Sequence, residues 1–263
     1  MISSNQWWGW GEDIALAVTE SAALARAEVL VKSVIAETEA ACDLRRGDAE
    51  IHAVNLGQGT PVQVSPRLSA LLRSALWAAR MTDGAVNPLA GDDAALDLES
   101  VPPIHPLPSY RDVQLDGETV LAPWGVSLDI TATARADTVD RAAALVARSL
   151  ECGVLVEIGA TVASAGHGPA GGWEVSLPDH TVVELPTGSA LASHTADDEQ
   201  TDRWHTVSVM ATDAVWADAA AATALRRGIG AVSWLEQYEL AARLVDTRGR
   251  IHTTRAWSSP RAA

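Results

Sequence analysis

Phenylalanine is absent from the chain, and Lys32 is the single lysine among its 19 basic residues. Ten tryptophans and two tyrosines supply the aromatic content. The excess of tryptophan over phenylalanine and of arginine over lysine, together with the abundance of alanine, reflects the base composition of the coding sequence rather than a function. Positive charge is scarce: 34 acidic residues outnumber the 19 basic ones and give the chain a net charge of −15 at pH 7.

The negative charge excludes two classes of partner. Its field repels nucleic acid and anionic membrane surfaces, and no cluster of basic residues offsets it, so we expect neither as a partner. A phosphorylated ligand is compatible with this charge, because helix N-termini or a bound divalent cation can supply a local positive field.

Targeting signals and cysteine pairs are also lacking. The first ten residues, MISSNQWWGW, contain no basic segment followed by an apolar run, and no uninterrupted apolar stretch of about eighteen residues occurs. We therefore expect a soluble protein of the cytoplasm. Cys42 and Cys152 lie far apart in the sequence, which favours two buried, inert thiols over a disulfide or a metal site.

The order of the predicted elements indicates an α+β fold. A chain of 263 residues is expected to form one large domain, residues 1–263, of two closely packed lobes. Helices and strands are interspersed without strict βαβ alternation, which favours mixed sheets with flanking helices over a doubly wound sheet. The clearest predicted elements are a strand over 12–18, helices over 21–42, 66–80 and 135–150, and a buried strand over 154–158.

No general catalytic motif is complete, since G-x-S-x-G, the Walker loop, H-E-x-x-H and G-x-G-x-x-G are all missing. His167 lies in a glycine-rich turn and is interpreted as a solvent-facing loop residue. His194 and His205 flank an acidic stretch that could hold a divalent cation through Asp197, Asp198 and Glu199, although a solvated loop is the favoured interpretation. The segment QWWGW (6–10) is compatible both with stacking on a planar ligand and with a hydrophobic plug.

Five segments, taken in order, have a more specific pattern. They are DLRRGDAEIHAVN (43–55), TDGAVNPLAG (82–91), VSLDITATARADTVDRAAAL (126–145), VLVEIGATVASAG with the following GGWEVSL (154–177) and VSVMATDAVWADAAAATALRRG (207–228). Together they resemble the ApbE family, the FAD:protein FMN transferases, over nearly the whole chain. The resemblance implies an ApbE-like α+β fold and a reaction in which FAD is cleaved at its pyrophosphate. FMN is then esterified to a threonine of an acceptor protein, and AMP is released.

The resemblance also implies roles for individual residues. The family coordinates Mg²⁺ with an aspartate and a threonine one helical turn apart, and Asp218 matches the aspartate. In register, the threonine position falls on Ala222, so Thr223 can serve as the second ligand only if the helix rotates or bulges. The flavin-binding candidates are Glu50, Asn55, Asp83, Gly84, Asn87, Pro88 and Gly159. The catalytic candidates are Asp218 and Arg135, the latter placed near the pyrophosphate. Turn formation and helix capping, with Asp218 as a cap, are structural alternatives for these residues.

Departures from the family pattern leave the function open. Thr131 and Ala132 stand where the family has two glycines, Arg135 stands where it has lysine, and its His-Ile-Ile-Asp-Pro segment is absent. Added Cβ atoms block the close approach of backbone to a pyrophosphate that glycine allows. Three interpretations follow: a Mg²⁺-dependent FMN transferase, a catalytically degenerate relative that binds a flavin, a nucleotide or a partner protein, and a redirected enzyme of a specialised pathway.

Overall fold

The computed structural model describes residues 2–89, 108–196 and 203–257. In chain order its elements are β1 (Ser3–Gly9), β2 (Glu12–Val18), α1 (Leu24–Cys42), α2 (Ile51–Leu56), β3 (Val62–Gln63), α3 (Pro66–Met81), β4 (Gln114–Asp116), β5 (Thr119–Leu121), α4 (Thr131–Leu150), β6 (Val154–Ile158), β7 (Thr161–Ala165), β8 (Trp173–Ser176), β9 (Val182–Leu185), β10 (Ala190–Thr195), β11 (Trp204–Ala211), α5 (Ala214–Arg226), α6 (Ala231–Gln237), β12 (Ala241–Asp246) and β13 (Ile251–Thr253). The predicted α+β class with flanking helices is confirmed.

The chain forms two compact units. We call residues 1–35 together with 135–263 the sheet unit, and residues 36–134 the inserted unit. That the whole chain acts as one domain of two packed lobes stays a prediction. Among the residues that the structure describes, no helix has both the length and the apolar character needed to cross a bilayer.

An eight-stranded antiparallel sheet forms the centre of the sheet unit. Its strand order is β1-β2-β6-β7-β10-β11-β12-β13, and β8 and β9 form a separate hairpin. The predicted strand over 12–18 is confirmed, and its alternation places Ile14, Leu16 and Val18 in the core. Lys32 on α1 lies 5.1 Å from the ring of Trp7 on β1 and pairs with Glu28.

Helix α5 covers β10 and β11 with a face made mostly of alanine. Ala220, Ala221 and Ala224 are buried against a core that includes Val207 and Val209 of β11. Because alanine has a single methyl group, the helix axis can approach the sheet closely. The position of α5 over the sheet is therefore fixed by close packing.

The inserted unit combines α2 and α3 with a three-stranded antiparallel sheet of order β3-β5-β4. The predicted helix over 66–80 is confirmed: the Ser65 hydroxyl accepts a hydrogen bond from the Leu68 amide, and Pro66 begins the first turn. The buried face of α3 includes Leu68, Leu71 and Leu72. A 3₁₀ turn over Tyr110–Asp112 precedes the β4–β5 hairpin.

The tryptophan-rich start of the chain is a strand and a turn, which the sequence did not predict. Trp10 and Gly11, with φ of 50° and 76°, connect β1 to β2 in the left-handed conformation typical of hairpin turns that match strand twist. Trp10 is buried, which agrees with a hydrophobic plug, whereas the Trp8 side chain is 69% exposed. Cys42 and Cys152 are both buried and free, as expected, and burial raises the pKa of the Cys152 thiol.

Two carboxylates hold the N-terminus of α5. Asp213 is the N-cap and accepts a hydrogen bond from the Trp216 amide, while Asp140 on α4 accepts one from the Ala214 amide at 2.8 Å. Burial, with smaller contributions from the negative charges of Asp213 and Asp137, raises the pKa of the Asp140 carboxyl to about 7.

Asp140 should make stability depend on pH. Because its pKa is raised in the folded state, its contribution to stability is complete below the unfolded pKa near 3.8 and is lost as the pH rises through about 7. Asp140→Asn should therefore gain stability relative to the parent protein between pH 4.5 and 8, by about 2–4 kcal/mol. Urea unfolding at several pH values measures this gain. The exposed Asp116→Asn is the control, and a pH-independent difference for Asp140→Asn would contradict the expectation.

Gly153 gives a second stability test, because a Cβ atom there would overlap the carbonyl oxygen of His167 while the backbone φ is ordinary. Gly153→Ala should lower the free energy of unfolding by roughly 1–3 kcal/mol through overpacking. Gly47→Ala is the matched control, since nothing lies within 4 Å of its added methyl group. Equal urea midpoints for the two variants would show that the strand start at Gly153 is not packed as described.

Candidate active site

Asp218, the residue assigned to both metal binding and catalysis, lies on α5 with its side chain facing the sheet. Its Oδ1 is 2.8 Å from Nε2 of His194 on β10 and 3.5 Å from Oγ1 of Thr161 on β7. The side chain of Asp218 is 14% exposed and that of His194 is 34% exposed. An ionised carboxylate can only accept hydrogen bonds, so Nε2 of His194 carries the hydrogen. The three side chains form a polar cluster over the centre of the sheet.

Strand register positions this cluster. Ala192 of β10 pairs with Thr161 of β7, so both side chains point to the same side of the sheet. His194 lies two residues after Ala192 on β10 and therefore points to that side as well. The α5 N-terminus, held by Asp213 and Asp140, places Asp218 one turn into the helix. The structural alternative in which Asp218 caps this helix is wrong, because Asp213 is the cap.

Helix geometry separates Thr223 from Asp218. Five residues of rotation place the two side chains about 140° apart, whereas Ala222 lies about 40° from Asp218. Thr223 is fully buried, and within the described part of the chain its hydroxyl has no hydrogen-bond partner. The geometry therefore does not support Thr223 as the second ligand of a metal bound to Asp218.

The donor set fits Mg²⁺ poorly. This ion takes oxygen ligands, usually one or two carboxylates with waters and phosphates, in octahedral geometry. Here one carboxylate oxygen already accepts from His194 and the neighbouring position on the helix, Ala222, offers no oxygen from its side chain. In residues 2–89, 108–196 and 203–257, no group of three or more His, Cys, Asp or Glu is arranged to hold a metal ion.

Arg135, the second catalytic candidate, is engaged by its own chain. Its Nη1 donates to Glu12 Oε1 at 2.7 Å, Nη2 donates to the Trp10 carbonyl at 3.2 Å, and the guanidinium lies 5.6 Å from the Trp10 ring. The flavin-binding candidate Gly159, at φ 60°, belongs to the same cluster, because a Cβ atom there would lie 3.0 Å from Glu12 Oε2. The Arg135 charge is therefore balanced by a carboxylate, with 27% of the arginine side chain exposed.

Two flavin-binding candidates of the inserted unit connect segments of that unit. Both carboxylate oxygens of Glu50 accept hydrogen bonds from Ser65, one from its amide and one from its hydroxyl, each at 2.6 Å. The Asn55 amide group donates to the Leu128 carbonyl and accepts from the Leu128 amide, at 3.1 and 2.7 Å. Both side chains therefore have a structural role in holding loops of this unit.

The other candidates of the inserted unit follow α3. Asp83 is exposed, adopts φ 52° and pairs with Arg111 at 2.9 Å. Gly84 follows at φ 81°, where a Cβ atom would lie 3.0 Å from the Tyr110 ring. Asn87 is exposed and accepts from the Leu89 amide. Pro88 is buried, and its carbonyl accepts a hydrogen bond from the Asp129 amide at 2.9 Å. These contacts form ordered turns, and the flavin-binding roles stay predictions.

Sequence reasoning missed the roles of His194 and Thr161. The sequence connects His194 only with the acidic stretch that follows it, and Asp197, Asp198 and Glu199 lie outside the described residues. The alternating apolar residues of ALASHT could have indicated a strand whose last residues include a histidine that projects from the sheet. His167 and His205 are exposed, in agreement with the solvent-facing interpretation of His167.

Comparisons with known proteins agree on one family. The ApbE family model matches residues 11–201. The flavinyl transferase ApbE of Pseudomonas stutzeri is similar in structure, with a TM-score of 0.80 and 17% identity over 98% of this chain and 96% of that one. The ApbE protein of Thermotoga maritima gives 0.79 and 18% over 98% of both chains, and the flavin transferase ApbE of Vibrio cholerae gives 0.76 and 16% over 98% of both.

No curated protein is significantly similar to this chain in sequence. At 16–18% identity, the structural likeness concerns the fold. The family match is independent of that likeness, covers most of the chain and includes the regions of Glu50, Asp83, Arg135 and His194. By this match, the chain belongs to the ApbE family.

Proposed function

We propose that this chain is a flavin transferase that cleaves FAD at its pyrophosphate, attaches FMN to a threonine of an acceptor protein and releases AMP. Family membership supports the reaction class. The observation that carries the proposal for this chain is the hydrogen bond between His194 and Asp218, since a histidine oriented by a partly buried carboxylate is a common arrangement for proton transfer.

His194 is the proposed general base. Asp218 accepts from Nε2, which fixes the ring orientation and leaves Nδ1 as the ring nitrogen that can accept a proton. In the proposed step, the acceptor threonine hydroxyl forms a bond to the FMN phosphorus, and its proton passes to Nδ1 of His194. The bond between that phosphorus and the bridging oxygen breaks, so that the oxygen leaves with AMP.

Two further components of the proposal come from the family. Resemblance to the family implies Mg²⁺, which when bound would neutralise phosphate charge, but the donor set around Asp218 fits this ion poorly. The flavin-binding roles of Glu50, Asn55, Asp83, Gly84, Asn87, Pro88 and Gly159, and the electrostatic role of Arg135, are part of the proposal and rest on motif matches. Cytoplasmic location likewise remains a proposal.

A second candidate is a relative that binds flavin without transferring it. The observation that favours it is the ion pair of Arg135 with Glu12, which balances the positive charge that the transferase would direct at the pyrophosphate. The two candidates share flavin binding and differ in whether AMP is released.

Binding and cleavage of FAD can be separated in one preparation. Titration of the purified protein into FAD, followed by flavin fluorescence, should show saturable binding because the family fold is retained. Chromatography of the same mixture, with and without added Mg²⁺, should show AMP and FMN accumulating with water as the acceptor. Binding without AMP would favour the second candidate, and the absence of binding under both conditions would contradict both.

Removal of the Asp218 charge should affect turnover more than flavin binding. Asp218→Asn keeps the size of the side chain but weakens its hold on the His194 ring, so the rate of AMP release should fall by about 10²–10⁴-fold. The dissociation constant for FAD, measured by fluorescence, should change by much less. Glu174→Gln, an exposed residue of β8, is the control. Wild-type turnover in Asp218→Asn would exclude Asp218 and His194 as the proton-transfer pair.

A further inference from the structure

We infer that His194 and Thr161 take the place of a metal ion at Asp218, so that this carboxylate is not a ligand of a divalent cation in this chain. The inference concerns the same side chains as the proposed function but does not depend on flavin transfer. It rests on the hydrogen bonds of Asp218 and on the orientation of α5.

Protein donors already converge on the Asp218 carboxylate. Oδ1 accepts the Nε2 hydrogen of His194 at 2.8 Å, and the Thr161 hydroxyl lies 3.5 Å from the same oxygen. A cation bound to this oxygen would face the N–H of the imidazole, whose hydrogen carries partial positive charge. Metal binding at Oδ1 therefore competes with a hydrogen bond to a charged group.

The orientation of α5 removes the second ligand. Trp216 lies 6.0 Å from the Trp234 ring of α6, centroid to centroid, and the Arg227 guanidinium lies 4.7 Å from the same ring. Thr223 follows Trp216 by seven residues and precedes Arg227 by four, so it lies on the same face of the helix, toward α6. Asp218 lies on the face toward β7 and β10. The Thr223 hydroxyl is therefore directed away from the carboxylate.

Ala222 occupies the position from which a second ligand would act. It lies one turn after Asp218 and is only partly buried, so a threonine there has room for its hydroxyl and methyl groups. The chain thus combines an alanine at position 222, which offers no side-chain oxygen, with a nitrogen donor, His194, beside the carboxylate. Replacing both should provide a pair of oxygen ligands for a hard cation.

Mn²⁺ provides a direct test, because the free ion is counted by electron paramagnetic resonance without reference to activity. The wild type, Asp218→Asn and the double variant His194→Ala/Ala222→Thr would be titrated with and without FAD. Circular dichroism and thermal melting would establish that each variant is folded. A triple variant that adds Asp218→Asn to the double variant shows whether any new site uses Asp218.

The expected result is that the wild type and Asp218→Asn bind Mn²⁺ with the same affinity, whereas the double variant gains roughly tenfold and loses that gain in the triple variant. A wild-type site that Asp218→Asn weakens by about tenfold or more would overturn the inference. A folded double variant without gain would overturn the assignment of Ala222. If the double variant does not fold, the comparison of wild type with Asp218→Asn still decides the question. Failure of the proposed function appears separately, as absent AMP release.

Discussion

The close packing of α5 on strands β10 and β11 is the constraint on which the candidate active site depends. Alanines such as Ala220 and Ala221 bring the helix near the sheet, and the capped N-terminus fixes where the helix begins. Together these features set the depth and rotation of Asp218, so that its carboxylate meets His194 of the sheet at hydrogen-bond distance. A bulkier residue in the alanine row would raise the helix and break this contact without changing either polar partner.

Several residues that match family motifs also hold the fold together. Glu50 accepts hydrogen bonds from Ser65 at the start of α3, and Asn55 hydrogen-bonds to the backbone of Leu128. A loop anchored in this way is rigid, which is the property a ligand-binding loop requires. The same residue can therefore satisfy a family motif for reasons of folding, of binding or of both, and a motif match alone does not separate these reasons.

Local patterns in the sequence predicted the elements with strong periodicity and clear ends. Helix α3 is an example, because Ser65 caps it, Pro66 begins it and its leucines share one face. The pairing of His194 with Asp218 could not be predicted in this way, since the two residues are 24 positions apart and meet only through sheet register and helix rotation. The contact between Glu12 and Arg135 spans 123 positions, and no local signal connects them. Strand β1 has no such signal, because four polar residues precede two consecutive tryptophans there and apolar residues do not alternate with polar ones.

The ion pair of Arg135 with Glu12 turns anion binding at this guanidinium into an exchange reaction. An incoming anion that takes the place of the glutamate at Nη1 must release that carboxylate to water, so its net affinity there is the difference between two ion pairs rather than the strength of one. A monoanion replaces a carboxylate with little advantage, whereas a group with more negative charge gains more from the same arginine. Competition from Glu12 thus favours anions with more negative charge, and this preference requires no additional contact with the ligand.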